Sequence, residues 1–421
     1  MSASTLIRNV RILDPGADQD FTGCVGIRGG VIDYRGRRAP AAKYAETVDG
    51  KNLWLMPGLV DLCARLREPG HTHKATMKSE STAALAAGIT ALCLPPDTRP
   101  VIDHAAVVNR VNRIAKAAGG AYVYMLGALT QGLNGEALAE MSALKQAGCV
   151  GVSNALAPVK NLSIARRALE YAASLKLTVH VVPLDPALAD GGCAHEGPVA
   201  TKLGLPAIPV AAEAAAMRQW ISLVEDTGAR VHFGRLSSAR GVALLESAVA
   251  RKLPVSADVA AHQLFLSEDD VDGFNAMAHV IPPLRSVRDR DALREAVGSG
   301  LIGSICSDHQ PHEADAKVNP FPLTEPGISA LETLLPLTLR LVHDGRLSPL
   351  RAAQCLSRGP AAVLSIRGGE LAVGAPADLV LVDPESAWTL RAKELRSAGR
   401  NTPFAGEAFR GRALRGWAGA R

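Results

Sequence analysis

The sequence predicts an α/β protein: a TIM-type (β/α)8 barrel carrying a small β domain built from both termini. Three observations predict it. Eight apolar, strand-like runs are spaced along the middle of the chain, helical stretches fill most of the gaps between them, and the two ends share a separate, turn-rich pattern. At 421 residues the chain is long enough for one barrel and an accessory domain.

The strand-like runs lie at 59–63, 89–94, 122–126, 150–153, 177–182, 230–233, 255–259 and 302–307. Between them, stretches such as 76–87, 136–147, 164–175 and 211–227 repeat their apolar residues with a period near 3.6, as an amphipathic helix does. At the start, 5–13, 23–27, 31–34 and 52–55 read as short strands separated by turns, and 369–372 and 379–382 repeat that pattern near the end. The expected organisation is therefore 1–55 for the first part of the β domain, 56–365 for the barrel, and 366–421 for the rest of the β domain with a basic tail. On a barrel of this kind chemistry sits at the C-terminal ends of the strands, so those ends are where site residues are sought.

Composition narrows the class. Hydrophobic residues make up 48% and charged residues 21%, as in a water-soluble globular protein with a large core. The net charge of +5 is concentrated at one end: residues 391–421 hold eight Lys/Arg and two acids, leaving 38 basic and 39 acidic residues elsewhere. An acidic partner or water is the expected neighbour of this basic segment, and nucleic acid is not an expected partner. No stretch approaches the ~20 apolar residues of a membrane span, and no secretory leader is seen. Seven scattered cysteines without a CxxC pair read as reduced core thiols, and a cytoplasmic location is expected.

The motifs are more specific. The run Met56-Pro-Gly-Leu-Val-Asp-Leu-Cys-Ala-Arg-Leu-Arg-Glu-Pro-Gly70 resembles the opening barrel strand of dihydroorotases, members of the amidohydrolase superfamily that open or close a cyclic amide in pyrimidine synthesis. Gly127-Ala-Leu-Thr130, Ala147-Gly-Cys-Val-Gly151, Pro282-Pro-Leu-Arg285 and Ser307-Asp-His-Gln-Pro-His312 follow in the same order and spacing. Gly374-Ala-Pro-Ala-Asp378 and Arg400-Asn-Thr-Pro403 extend the match over nearly the whole chain.

Hydrolysis of a cyclic amide needs a water made nucleophilic at neutral pH, which one or two divalent metals achieve by lowering its pKa. The resemblance assigns six ligand positions. The His-x-His pair of the first strand falls on Cys63 and Arg65, the carboxylate after the fourth strand on Ala155 with Asn154 beside it, the fifth-strand His on Val182 and the sixth-strand His on Arg235. Only the eighth-strand Asp is retained, as Asp308. Arginine is always charged and repels a dication, so the expected metal is none. His180 and His232 are near misses, and strand alternation is expected to turn them out of the lumen. Arg65 and Arg235 are expected to pair with Asp61 and Asp308, an ion-pair cluster standing where the metals stood. Arg67 and His312 match the family's substrate contacts. With Arg65 and Arg235 they offer a clamp for a small carboxylate or phosphate, with packed remnants as the plainer alternative. His71 and His73 follow the strand in a loop and are not expected to ligate metal. His195 and His262 are expected to be polar residues of loop and pocket edge.

The motifs at 61–67, 95–98 and 235–238 are most similar to a noncatalytic subgroup associated with aspartate carbamoyltransferase. The resemblance thus implies a pseudoenzyme without cofactor, an assembly subunit that forms an oligomer with the transferase catalytic chain. The alternative is an active dihydroorotase with an unusual mononuclear zinc site around Cys63, Asp308 and a shifted histidine.

Overall fold

The computed structural model describes residues 4–419. Alternating apolar residues make a meander of Thr5–Asp14 (β1), Gln19–Arg28 (β2) and Val31–Gly36 (β3), paired antiparallel in that order. Glu46–Asp49 (β4) and Trp54–Pro57 (β5) both run parallel to β1. Gly58 then hands the chain to the barrel. A Cβ there would stand 2.2 Å from Thr90 Oγ1, so the crossing requires glycine.

The barrel strands are Leu59–Asp61 (β6), Ile89–Leu94 (β7), Tyr122–Ala128 (β8), Gly151–Ser153 (β9) and Thr178–Val181 (β10). A two-stranded sheet of Ala194–His195 (β11) and Ala207–Ile208 (β12) lies outside the main sheets. Val231–Phe233 (β13), Val255–Ala260 (β14) and Ser304–Cys306 (β15) complete the barrel, and all seven neighbouring pairs along the path from β6 to β15 run parallel. Closure is made just past the strand ends. The Arg65 amide donates to His309 O at 2.9 Å, and the His309 amide donates to Cys63 O at 3.2 Å.

Strand alternation divides the core. Val60, Leu62, Ala91, Cys93, Leu126, Ala260 and Cys306 form one cluster in the lumen. Their neighbours Leu59, Leu92, Val152, Val179, Val231, Val259 and Ile305 face the helices. The chain then returns to the first sheet through Leu379–Thr389 (β16) and Ala408–Trp417 (β17), giving the order β17-β16-β5-β1-β2-β3 with β4 also on β1.

Several expectations are corrected here. Residues 369–372 form no strand, whereas the segment read as a basic tail contains the ten-residue β17. Its arginines hid it: Arg410, Arg412 and Arg415 interrupt the apolar pattern because β17 is an edge strand with one face in water. Arg415 pairs with Glu46 at 2.7 Å, and Phe409 stacks on Trp388 at 5.3 Å between ring centroids. The helix expected over 136–147 begins only at Met141, after the turn at Asn134-Gly135. All seven cysteines are buried and free. Among the described residues no helix is long and apolar enough to cross a membrane.

Candidate functional site

Four non-glycine residues at the barrel mouth adopt left-handed backbone conformations: Arg67 (φ 62°), Ala155 (φ 51°), Arg235 (φ 59°) and Asp308 (φ 46°). Such conformations cost about 1–3 kcal/mol each and persist only where neighbours fix them. The fixing bonds are present. The Ala155 amide donates to Ser153 Oγ at 2.9 Å, and the Arg235 amide to Asp258 Oδ1 at 2.6 Å. Ser307, just before Asp308, donates its amide to Asp61 Oδ1 at 2.8 Å and its hydroxyl to Asp61 Oδ2.

These turns point the side chains at one another. Arg235 Nη1 lies 3.0 Å from Asp308 Oδ1 and also touches Cys63 Sγ. Arg65 Nε donates to Asp97 Oδ2 at 2.8 Å, while its Nη1 stands 3.5 Å from Asp308 Oδ1, a charge contact without hydrogen-bond geometry. Asp308, Arg65 and Arg235 are all buried. Burial alone would raise the Asp308 pKa, but Arg235 and Arg65 outweigh it and hold the carboxylate below its ordinary value. Burial pushes the Cys63 thiol up to about 12, so it stands as a neutral thiol within 3.5 Å of Asp308.

Asp61 is not a member of this cluster, contrary to the sequence expectation. Its oxygens are taken by Ser307 and the Cys63 amide, and burial pushes its pKa up to about 6. Asp97 meets the Arg65 guanidinium instead, and Asp258 holds the Arg235 backbone amide rather than its side chain. Asp258 had a legible signal, being an acid inside the apolar run 255–259. Asp97 had none beyond proximity.

His180 and His232 also depart from expectation, because both lie inside the lumen. The register pairs them across β10 and β13, and their rings meet edge to face at 5.3 Å. His232 Nε2 is 3.0 Å from Asp258 Oδ2 and its Nδ1 is 2.8 Å from Ser256 Oγ, so both ring nitrogens are occupied. His180 Nε2 is buried without a partner, and burial holds its pKa well below the ordinary histidine value. Val182, Ala155 and Cys63 join these residues around a cavity of about 30 Å³, room for a water or two but not for a cyclic amide.

Arg67 and His312 are together but turned inward. Arg67 Nε donates to Pro311 O at 3.0 Å, and its Nη2 lies 3.0 Å from His312 Nε2. Arg65 and Arg235 are engaged by Asp97 and Asp308, so the anticipated three-arginine clamp is not assembled. His195 sits in β11 with Nδ1 3.1 Å from Arg285 Nη1, and His262 is buried in a short turn after β14. Glu213, missed by sequence reading, is buried and accepts from the amides and hydroxyls of both Ser237 and Ser238, anchoring the loop that carries Arg235.

The donor set does not fit a divalent metal. Two guanidiniums occupy ligand positions and hold the retained carboxylate. Among the described residues no group of three or more His, Cys, Asp or Glu side chains is placed to hold one.

The buried imidazoles give the site a pH signature. Burial lowers His195, His262 and His279 to about 4, and burial with Arg67 nearby lowers His312 to about 2, from 6.5. Below pH 6.5 the unfolded chain takes up protons that these folded rings refuse, so stability falls as pH drops from 6.5 towards 4. Asp61 acts oppositely between about pH 4 and 6, and Glu268 and Glu332, raised by burial, act with it; His180, Glu80 and Asp308, all held below their ordinary values, add to the four rings and outweigh them. The urea midpoint is expected to be level between about pH 7 and 8 and to fall steeply below 6.5. A midpoint that held or rose on acidification contradicts this burial.

The comparisons agree with the fold. A family model described as dihydro-orotase-like matches residues 52–240. The chain is 49% identical to a dihydroorotase-like protein of Pseudomonas aeruginosa over 96% of each chain. It is 43% identical to a dihydroorotase of Syntrophotalea carbinolica, over 97% of this chain and 96% of that one. In fold it is similar to the L-hydantoinase of Arthrobacter aurescens, with a TM-score of 0.88 over 98% of this chain and 94% of the other at 22% identity. The chain belongs to the dihydroorotase-like family of amidohydrolase-fold proteins.

Proposed function

We propose that this chain is a noncatalytic dihydroorotase-like protein that serves pyrimidine synthesis as an assembly subunit for the aspartate carbamoyltransferase catalytic chain. The observation that carries the noncatalytic half is the bridge Arg65–Asp308–Arg235. It puts two fixed positive charges where water activation needs a metal, and it uses the one retained acid to neutralise them. The cavity of about 30 Å³ around Cys63, His180 and Arg235 supports this reading, being far smaller than a ligand pocket. The partner is supported by the likeness of residues 61–67, 95–98 and 235–238 to the transferase-associated subgroup.

Co-expression tests the partner. The tagged chain, produced with the transferase catalytic chain of the same organism, is expected to elute with it as one stoichiometric species, and omission of the chain is expected to leave the transferase incompletely assembled. Separate elution of two unassociated proteins contradicts the proposal.

The competing reading is an active dihydroorotase with a mononuclear zinc site. It draws on the unpartnered His180 Nε2 in the lumen and on the dihydroorotase name of the Syntrophotalea relative. It requires the ion to displace two buried guanidiniums from Asp308, and their charge opposes that displacement.

A further inference from the structure

Strand alternation places Ser256, Asp258 and Ala260 of β14 on the lumen face, with Ser256 nearest the end of the barrel opposite the ion-pair bridge. His232 of β13 pairs in register with Ser256. Its ring spans two of these side chains: Nδ1 lies 2.8 Å from Ser256 Oγ, and Nε2 lies 3.0 Å from Asp258 Oδ2. Asp258 accepts on its other oxygen from the Arg235 amide and the Cys306 thiol, as a carboxylate does. A carboxylate cannot donate, so the ring proton sits on Nε2, and the Nδ1 lone pair is left to accept from the Ser256 hydroxyl. A base within reach of a hydroxyl, and itself oriented by a third group, is the arrangement that activates a serine.

Bracing of β13 against β14 would require no more than this, yet the serine is not sealed in. His232 and Asp258 are buried, but Ser256 is half-buried. It lines a cavity of about 320 Å³ at the N-terminal ends of the strands, within the range of about 300–1,000 Å³ usual for ligand sites. Val231, Val255, Ala362 and Val363 make its walls largely apolar, and a Cβ at Gly303 would meet nothing within 4 Å. Ser304 lines the same cavity, and its buried Oγ has no hydrogen-bond partner among the described residues. That hydroxyl is free to donate to an oxygen that enters.

We propose that Ser256 is the nucleophile of a second site, at the floor of the barrel, that hydrolyses esters of short apolar acids. Ser256 Oγ bonds to the ester carbonyl carbon as its proton passes to His232 Nδ1. The carbonyl oxygen becomes anionic, and Ser304 Oγ is the free donor in the cavity to meet it. The carbon–alkoxy bond then breaks, and the leaving alcohol takes the proton from Nδ1. Water attacks the acyl-serine and gives a proton to Nδ1, and Oγ recovers that proton as the acid leaves. His232 is thus the base, and Asp258 is a positioning residue that fixes its tautomer. The site shares no side chain with the ion-pair bridge, so it does not depend on the assembly role.

An alkyl fluorophosphonate on the full chain is the probe, with adducts located by peptide mass spectrometry and p-nitrophenyl butyrate hydrolysis followed on the same preparation. An adduct at Ser256 and steady release of nitrophenolate are expected, both lost in Ser256→Ala. Asp258→Asn keeps an oxygen for the Arg235 amide but lets its carboxamide donate to Nε2, which moves the ring proton to Nδ1 and blocks the base. With native circular dichroism retained, this variant is expected to lose about a hundredfold in kcat and in labelling rate at an unchanged KM, a split that a bracing role would not produce. If Asp258→Asn loses its native spectrum, the adduct and Ser256→Ala decide. No adduct at Ser256, hydrolysis that survives Ser256→Ala, or a folded Asp258→Asn with unaltered kcat each overturns the proposal.

Discussion

Replacing Asp308 with alanine is expected to destabilise the fold by about 3–5 kcal/mol, far more than a surface change. The residue is 2% exposed and is the anion shared by Arg65 and Arg235. Its removal leaves Arg235 Nη1 with only the neutral Cys63 thiol, and leaves Arg65 with Asp97 alone. A buried guanidinium without its counter-ion carries the full cost of its lost hydration, and the barrel mouth must open to admit water. The pair itself need not be a net source of stability. Arg65→Met, Arg235→Met and Asp308→Leu together are therefore expected to fall within about 2 kcal/mol of the unaltered chain, because all three charges leave at once. Urea unfolding of the single and triple variants separates these outcomes. A single variant within about 1 kcal/mol of the parent contradicts the assigned bridge.

The second large effect is gain of metal. Cys63, Arg65 and Arg235 converge on Asp308 in the structure, so Cys63→His, Arg65→His and Arg235→His would set three imidazoles about one carboxylate, a donor set that suits tetrahedral zinc. Histidine also tolerates the left-handed backbone at position 235 better than a branched residue would. Without metal this variant is expected to melt below the parent, since Asp308 loses both cations. Zinc at about a thousandfold excess over Kd is expected to return about 4 kcal/mol. Failure to bind zinc in equilibrium dialysis contradicts the view that the arginines replaced ligands in an otherwise preserved frame.

The sequence carried the frame of the fold well because barrel and β domain follow from periodicity and turns. Strand ends at Leu94 and Phe233 are legible from apolar runs giving way to proline or glycine. What was not legible arises from contacts distant in sequence. Whether Arg65 meets Asp61 or Asp97 depends on how the mouth loops cross, and no local pattern reports that. His180 and His232 were misplaced because the ligand positions lie beyond the regular strands, where the turn at Arg235 breaks the alternation used to project them. β17 was concealed by edge-strand arginines that resemble a solvated tail. Ser256, His232 and Asp258 are ordinary polar residues in sequence and become a relay only when β13 and β14 pair in register.

The central claim is that an ion-pair bridge stands where this family places metal. The most direct test is zinc and other divalent metals per chain in protein purified without chelators, with dihydroorotate turnover assayed on the same sample before and after zinc addition. The bridge predicts metal near zero and no turnover in either state. About one metal per chain, with hydrolysis that rises on zinc addition, would contradict it.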